Sequence, residues 1–292
     1  MRVAKLFNGK KNLVISALDH VMEYGDQPGI EQSEKAIMNC MGTDALLMSR
    51  FMLKRHHDLF AKRDTPVPVV RLNWTSSFYY PLNYHQGYTR VATMVDEAVE
   101  AGGEMVICSL FLENQNERME TENVQIFSEV VRQKERLGIP LIGECYVVEH
   151  EDMTAEEIHL KVKRVTRVMA ELGADLIKCF LTENFQKVVD NLPVPAFTIG
   201  AEKLDSDLDV LKKSGNQHKA GRARYHLRTK YLYGRGSRQT HRLAQPRNQR
   251  RRISGIGLSI AADKQPTWNG HHDQTPGSWP AVWVFPGMPN RY

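Results

Sequence analysis

A lysine inside an apolar strand is the residue here best suited to do chemistry. Lys178 sits in GADLIKCF, between Leu176-Ile177 and Cys179-Phe180. Burying an ammonium in such a run is costly, so the pKa of such a lysine tends to fall. A neutral amine can attack a ketone, form a Schiff base and so act as an electron sink for making or breaking a carbon–carbon bond. The competing reading is a strand-end lysine that snorkels to solvent or pairs with a carboxylate. Other strand ends carry further candidates. Leu18-Asp19-His20 ends the first, Arg71-Leu72-Asn73-Trp74 the third, and Glu144-Cys145-Tyr146 the fifth. Gly200-Ala201-Glu202-Lys203 follows the seventh. A phenol such as Tyr146 can shuttle a substrate hydroxyl proton, and a carboxylate such as Asp19 can orient or deprotonate that hydroxyl. Equally, Tyr146 could be a packed rim residue, Asp19 a cap and His20 a strand-end hydrogen bonder. Trp74, Phe78, Tyr79 and Tyr80 could line a pocket or merely pack. His56-His57 has no acidic partner at metal-ligand spacing and reads as surface.

These residues need elements to hold them. Seven short apolar runs recur: 12–18, 44–49, 67–72, 104–110, 139–145, 174–180 and 194–199. Amphipathic stretches at 89–101, 122–137 and 154–172 separate some of them, the last two closed by Gly138 and Gly173. Such alternation predicts a parallel sheet with helical crossovers. Even spacing of so many units favours a (β/α)8 TIM barrel over a doubly wound sheet, and no GxGxxG follows the first strand. In a barrel the chemistry sits at the C-terminal ends of the strands, where all the candidates lie.

The 292 residues carry a net charge of +5, unevenly. Residues 1–213 hold 25 Lys and Arg against 32 Asp and Glu; residues 214–292 hold 14 against 2. The second stretch has no Glu and little apolar periodicity. The chain therefore divides into a barrel domain, 1–213, and a basic tail, 214–292, that is out of frame or disordered. No apolar run is long enough for a transmembrane helix, and the N-terminus does not read as a secretory signal. The four cysteines are widely spaced and form no CxxC, which predicts reduced thiols in a cytoplasmic protein with neither a metal site nor a cofactor.

The motifs ALDH at 17–20, ELGADLIKCF at 171–180 and LPVPAFTIGAEKL at 192–204 resemble the archaeal-type class I fructose-bisphosphate aldolases. That group also holds aminodideoxyheptulosonate synthase and a thiolase acting on phosphorylated autoinducer-2. The resemblance covers residues 5–213. It implies a TIM barrel, a phosphorylated sugar substrate, reversible aldol cleavage and, in intact relatives, a homo-oligomer. Position by position it implies that Lys178 is the Schiff-base lysine, Tyr146 the proton-transfer residue and Asp19 the carboxylate assisting at substrate hydroxyls. Gly200 and Lys203 match the phosphate loop after strand seven; His20, Arg71 and Trp74 complete the expected substrate contacts. The family pairs glycines where this chain has Gly200-Ala201.

The resemblance also implies an eighth strand ending in GRN, which is not present after Lys213. One permitted codon choice for residues 215–234, read one nucleotide later, encodes VISIKQGARGITYGRNIFM, a family-like strand eight and phosphate loop. A one-base shift near codon 214 explains the composition break. It predicts a barrel with an open edge, poor stability and weak or no activity. The rival reading takes the arginines of 214–292 with Tyr225, Tyr231 and Tyr233 as a nucleic-acid-binding module, although no known nucleic-acid motif is present.

Overall fold

The computed structural model describes residues 13–199 apart from 26–28, 63, 78–83, 85 and 148–151, together with Val3 and the backbone of two short strands at 226–228 and 281–284. All seven apolar runs form strands. They are β1 (Val14–Ala17), β2 (Ala45–Met48), β3 (Val67–Arg71), β6 (Met105–Leu110), β7 (Leu141–Cys145), β8 (Leu176–Cys179) and β9 (Ala196–Thr198). They pair in parallel in that order in one sheet. The remaining early strands, β4 (Asn73–Thr75) and β5 (Thr89–Val91), form a separate antiparallel hairpin just beyond the C-terminal end of β3. Among the described residues, no helix is long and apolar enough to cross a membrane.

Helices α1 (His20–Tyr24), α2 (Ser33–Cys40), α3 (Arg50–Arg55), α4 (Val95–Glu100), α5 (Glu117–Leu137), α6 (Ala155–Leu172) and α7 (Phe185–Asp190) make the connections. Their ends follow local chemistry. Thr154 accepts from the Glu157 amide while the Glu157 carboxylate accepts from the Thr154 amide, so α6 starts where expected. Asn116 accepts from the Met119 amide at 3.1 Å and starts α5 before the amphipathic stretch at 122–137. The stretch read as a helix from residue 89 divides instead. Thr89–Val91, β-branched at both ends, pairs with β4, and α4 begins only where Glu97 reaches back to the Met94 amide at 2.9 Å.

Strand periodicity splits the core into two layers. Met48, Val70, Cys108, Cys145, Ile177 and Cys179 face the helices. Ile15, Leu47, Val69, Ile107, Leu176 and Phe197 face the barrel interior. The interior is apolar toward the N-terminal ends of the strands. Two residues further along the same faces it turns polar, at Arg71, Ser109, Glu144 and Lys178.

The far side of β1 is not left open, contrary to the expectation from the missing eighth strand. The backbone of β11 (Ala281–Val284) pairs antiparallel with β1, Ile15 opposite Trp283, and β10 (His226–Arg228) pairs antiparallel with β11. Cα atoms of β11 also come within 8 Å of β9. The sequence AVWV has high strand propensity, and an unpaired strand edge offers a row of backbone donors and acceptors.

Candidate active site

Strand register builds the site. Ser109 on β6 lies opposite Glu144 on β7, and Glu144 lies opposite Lys178 on β8. All three point into the barrel in one row. Lys178, 5% exposed, ion-pairs through Nζ with Glu144 Oε1. The other carboxylate oxygen, Oε2, accepts from Ser109 Oγ and from Arg71 Nη1, both at 2.5 Å. Arg71 Nη1 also donates to Ser109 Oγ at 2.7 Å. Arg71 Nε donates to Asp19 Oδ2 at 2.8 Å, and Nη2 lies 3.2 Å from Glu23 Oε1. The side chain of Asn73 holds both the amide and the carbonyl of Ser109 (2.9 and 3.2 Å), which ties the start of the hairpin to this row.

The cluster is electrostatically tight. Burial would raise the Glu144 carboxyl, but the Arg71 guanidinium and the Lys178 ammonium outweigh it and hold the group well below the usual carboxylate range. Burial disfavours the Arg71 charge, yet Glu144, Asp19 and Glu23 together keep it protonated well above its ordinary value. Glu23 goes the other way: burial first, then Asp19, raises its carboxyl to about 8. Burial pushes His20 down to about 4, with Asp19 opposing weakly from 3.8 Å, so the imidazole is neutral at physiological pH.

Aromatic rings wall one side. Tyr146, Trp74 and Tyr24 pack against Phe111. The Tyr146 ring lies edge-on to Phe180 at 5.1 Å and tilted to Phe111 at 6.4 Å. His20 stacks on Tyr24 at 6.3 Å. Tyr146 directly follows β7 and Phe180 directly follows β8, so their edge contact joins the ends of the two strands that carry Glu144 and Lys178.

Of the residues singled out by sequence, the structure brings Lys178, Asp19 and Arg71 into one ion-paired cluster, with His20 beside Asp19 and with Tyr146 and Trp74 in the adjoining aromatic group. Arg71, expected at the substrate, is 1% exposed and spends its guanidinium on the carboxyl groups of Asp19, Glu144 and Glu23. Lys178 is not in apolar surroundings but against Glu144. Gly200 and Lys203 lie outside the described residues. Glu144 and Asn73 stood in the strand-end segments without being given a role, and Ser109 and Glu23 were not singled out. The available signal was a charged residue at the same inward phase as Lys178, one strand earlier in the sequence. His56 is not a bare surface residue: its Nε2 is 2.8 Å from Ser33 Oγ. Among the described residues, no group of three or more His, Cys, Asp or Glu is arranged to hold a metal.

A curved parallel sheet with crossover helices and a buried charge cluster at its C-terminal ends has the architecture of a (β/α)-barrel enzyme. The chain belongs to the DeoC/LacD family of aldolases, whose family model matches residues 13–223. It is an aldolase-family enzyme of the carbon–carbon lyase kind. An uncharacterised aldolase of Saccharolobus solfataricus is 30% identical over 76% of this chain and 83% of its own length. A 3-hydroxy-5-phosphonooxypentane-2,4-dione thiolase of Yersinia enterocolitica is 27% identical over 70% of this chain, and the match spans 66% of the thiolase. Among solved structures, an archaeal fructose 1,6-bisphosphate aldolase superposes with a TM-score of 0.60 at 20% identity, covering 75% of this chain and 86% of that one. A fructose-bisphosphate aldolase from Slackia heliotrinireducens gives 0.60 at 16% identity, covering 76% of this chain and 75% of that one. These neighbours support the TIM-barrel fold.

Proposed function

We propose that this chain is a class I aldolase that reversibly cleaves a phosphorylated ketose through a Schiff base on Lys178. Fructose 1,6-bisphosphate, giving dihydroxyacetone phosphate and glyceraldehyde 3-phosphate, is the default substrate. The observation that carries the reading is the buried Lys178–Glu144 pair at the C-terminal end of β8. Glu144 holds the Lys178 ammonium in place, and the amine becomes a nucleophile once that ammonium gives a proton to solvent. The freed amine adds to the substrate ketone as a carbinolamine. Loss of water, with uptake of a proton, leaves an iminium. The iminium accepts the electron pair of the adjacent carbon–carbon bond once a base removes the proton of the hydroxyl beyond it. Tyr146 or Asp19 takes that role. The aldehyde departs, the enamine regains a proton, and water releases the ketone. No metal is required, because the iminium supplies the electron sink.

Sodium borohydride added with dihydroxyacetone phosphate should reduce the imine to a secondary amine on the Lys178 peptide, read by mass. Lys178→Met should show no adduct. An unmodified wild-type peptide would overturn the reading.

The thiolase relative favours a second reading, in which the same lysine serves a transfer or thiolysis reaction. Products formed with a thiol acceptor, compared with those formed with glyceraldehyde 3-phosphate, separate the two. For the tail, we hold to a one-base shift near codon 214 that replaced strand eight and its GRN phosphate loop. Sequencing source DNA across codons 205–255 decides it. Without the extra base, the restored chain should be a working aldolase. With it, the chain should turn over weakly or not at all, and measurable turnover counts against that.

A further inference from the structure

We propose that Glu23 enters the folded barrel as a neutral acid and acts as a positioning residue, and that loss of its proton weakens productive binding of an anionic substrate in alkaline solution. Glu23 lies on α1, one turn past Asp19, and is 5% exposed. Its Oε1 has no hydrogen-bond partner, although Arg71 Nη2 is 3.2 Å away. The rest of the Arg71 guanidinium is committed: Nε to Asp19, Nη1 to Ser109 and Glu144.

Charge counting shows why the proton stays. Two carboxylates, Asp19 and Glu144, already balance the two cations, Arg71 and Lys178. An ionised Glu23 would be a third carboxylate, leaving one buried negative charge in excess. An uncompensated buried charge is expensive, and the group neutralises instead. The charged groups facing Glu23 are Asp19 at the start of its own helix, Arg71 from β3, Glu144 from β7 and Lys178 from β8; His20 beside it is neutral. The direction of titration agrees, with burial and then Asp19 lifting the carboxyl from its ordinary 4.5 to about 8. When the proton leaves to solvent, the excess charge has two effects. It repels an incoming phosphorylated substrate, and it competes with Asp19 and Glu144 for Arg71.

The substrate half rests on the aldolase reading; the proton half does not, and Glu23→Gln tests both. Glutamine is the isostere of the neutral acid, so the variant should fold at neutral pH, and failure to fold would overturn the proposal. Between pH 4.5 and about 8 the native barrel keeps a proton that the unfolded chain has lost, so wild-type stability falls with rising pH through that window. The variant lacks this penalty. Its melting temperature relative to wild type should therefore climb across the window and level off above it. A difference independent of pH overturns the resident proton. For substrate, wild-type KM should rise about tenfold above the window. In the variant KM should stay flat there, with kcat changed less than KM. The same rise in both proteins overturns the positioning role. If borohydride traps nothing on wild-type Lys178, the substrate half falls together with the aldolase reading, and the melting curves still decide the proton.

Discussion

Arg71 organises the site without being exposed to do chemistry itself. Its guanidinium joins Asp19, Glu23 and Glu144, and through Glu144 it reaches Lys178. Removing it strands buried carboxylates, so Arg71→Met should cost about 3–5 kcal/mol, the range for breaking one side of a buried pair. Urea unfolding at neutral pH measures this; a loss under about 1 kcal/mol would mean the cluster is solvated rather than buried. Lys178, Tyr146 and Asp19 stood out in the sequence because Lys178 interrupts an apolar run and the other two directly follow one. Glu144 did not, although it lies two residues before Tyr146. Its importance comes from register: only pairing of β7 with β8 sets it opposite Lys178. Glu23 was hidden for another reason. It lies in a five-residue helix with no periodicity to read.

Elements end where the sequence places the right small residue. Gly173 closes α6 with φ at 115°, a backbone conformation that side chains with a Cβ resist. A Cβ there would also come within 2.8 Å of Val131 Cγ1 on α5. Gly173→Ala should therefore destabilise the protein by about 1–3 kcal/mol. A melting temperature equal to wild type would show that the loop relaxes freely. This glycine matters to function because the chain turns at Gly173 directly into β8, the strand that carries Lys178. The hairpin of β4 and β5 shows the limit of element-level reading. Thr89–Val91 joins smoothly to an amphipathic stretch, and its strand state depends on a partner fourteen or more residues earlier in the chain.

At the scale of the molecule, the strand that lies beside β1 governs how the sheet closes. Seven parallel strands run in order from β1 to β9, and an antiparallel strand from the far C-terminus lies on β1. An antiparallel strand satisfies the backbone of β1 but brings its N-terminal end to the mouth, where each parallel strand brings its C-terminal end. A chain restored to the GRN-encoding frame should melt at higher temperature than the chain as given and gain turnover on a ketose phosphate. Equal melting and equal turnover would mean that the tail substitutes fully for strand eight.

Sequence alone determined the number and order of parallel strands, the two long helices and the presence of a lysine in the apolar run that forms β8. Those features are written in local apolar runs, caps and glycines, and each is settled within some twenty residues of chain. Tertiary structure alone decided what surrounds the lysine. The Ser109–Glu144–Lys178 row, the burial of Arg71 among carboxylates and the proton on Glu23 depend on strand register and desolvation. Both arise only when residues dozens of positions apart share one dry interior.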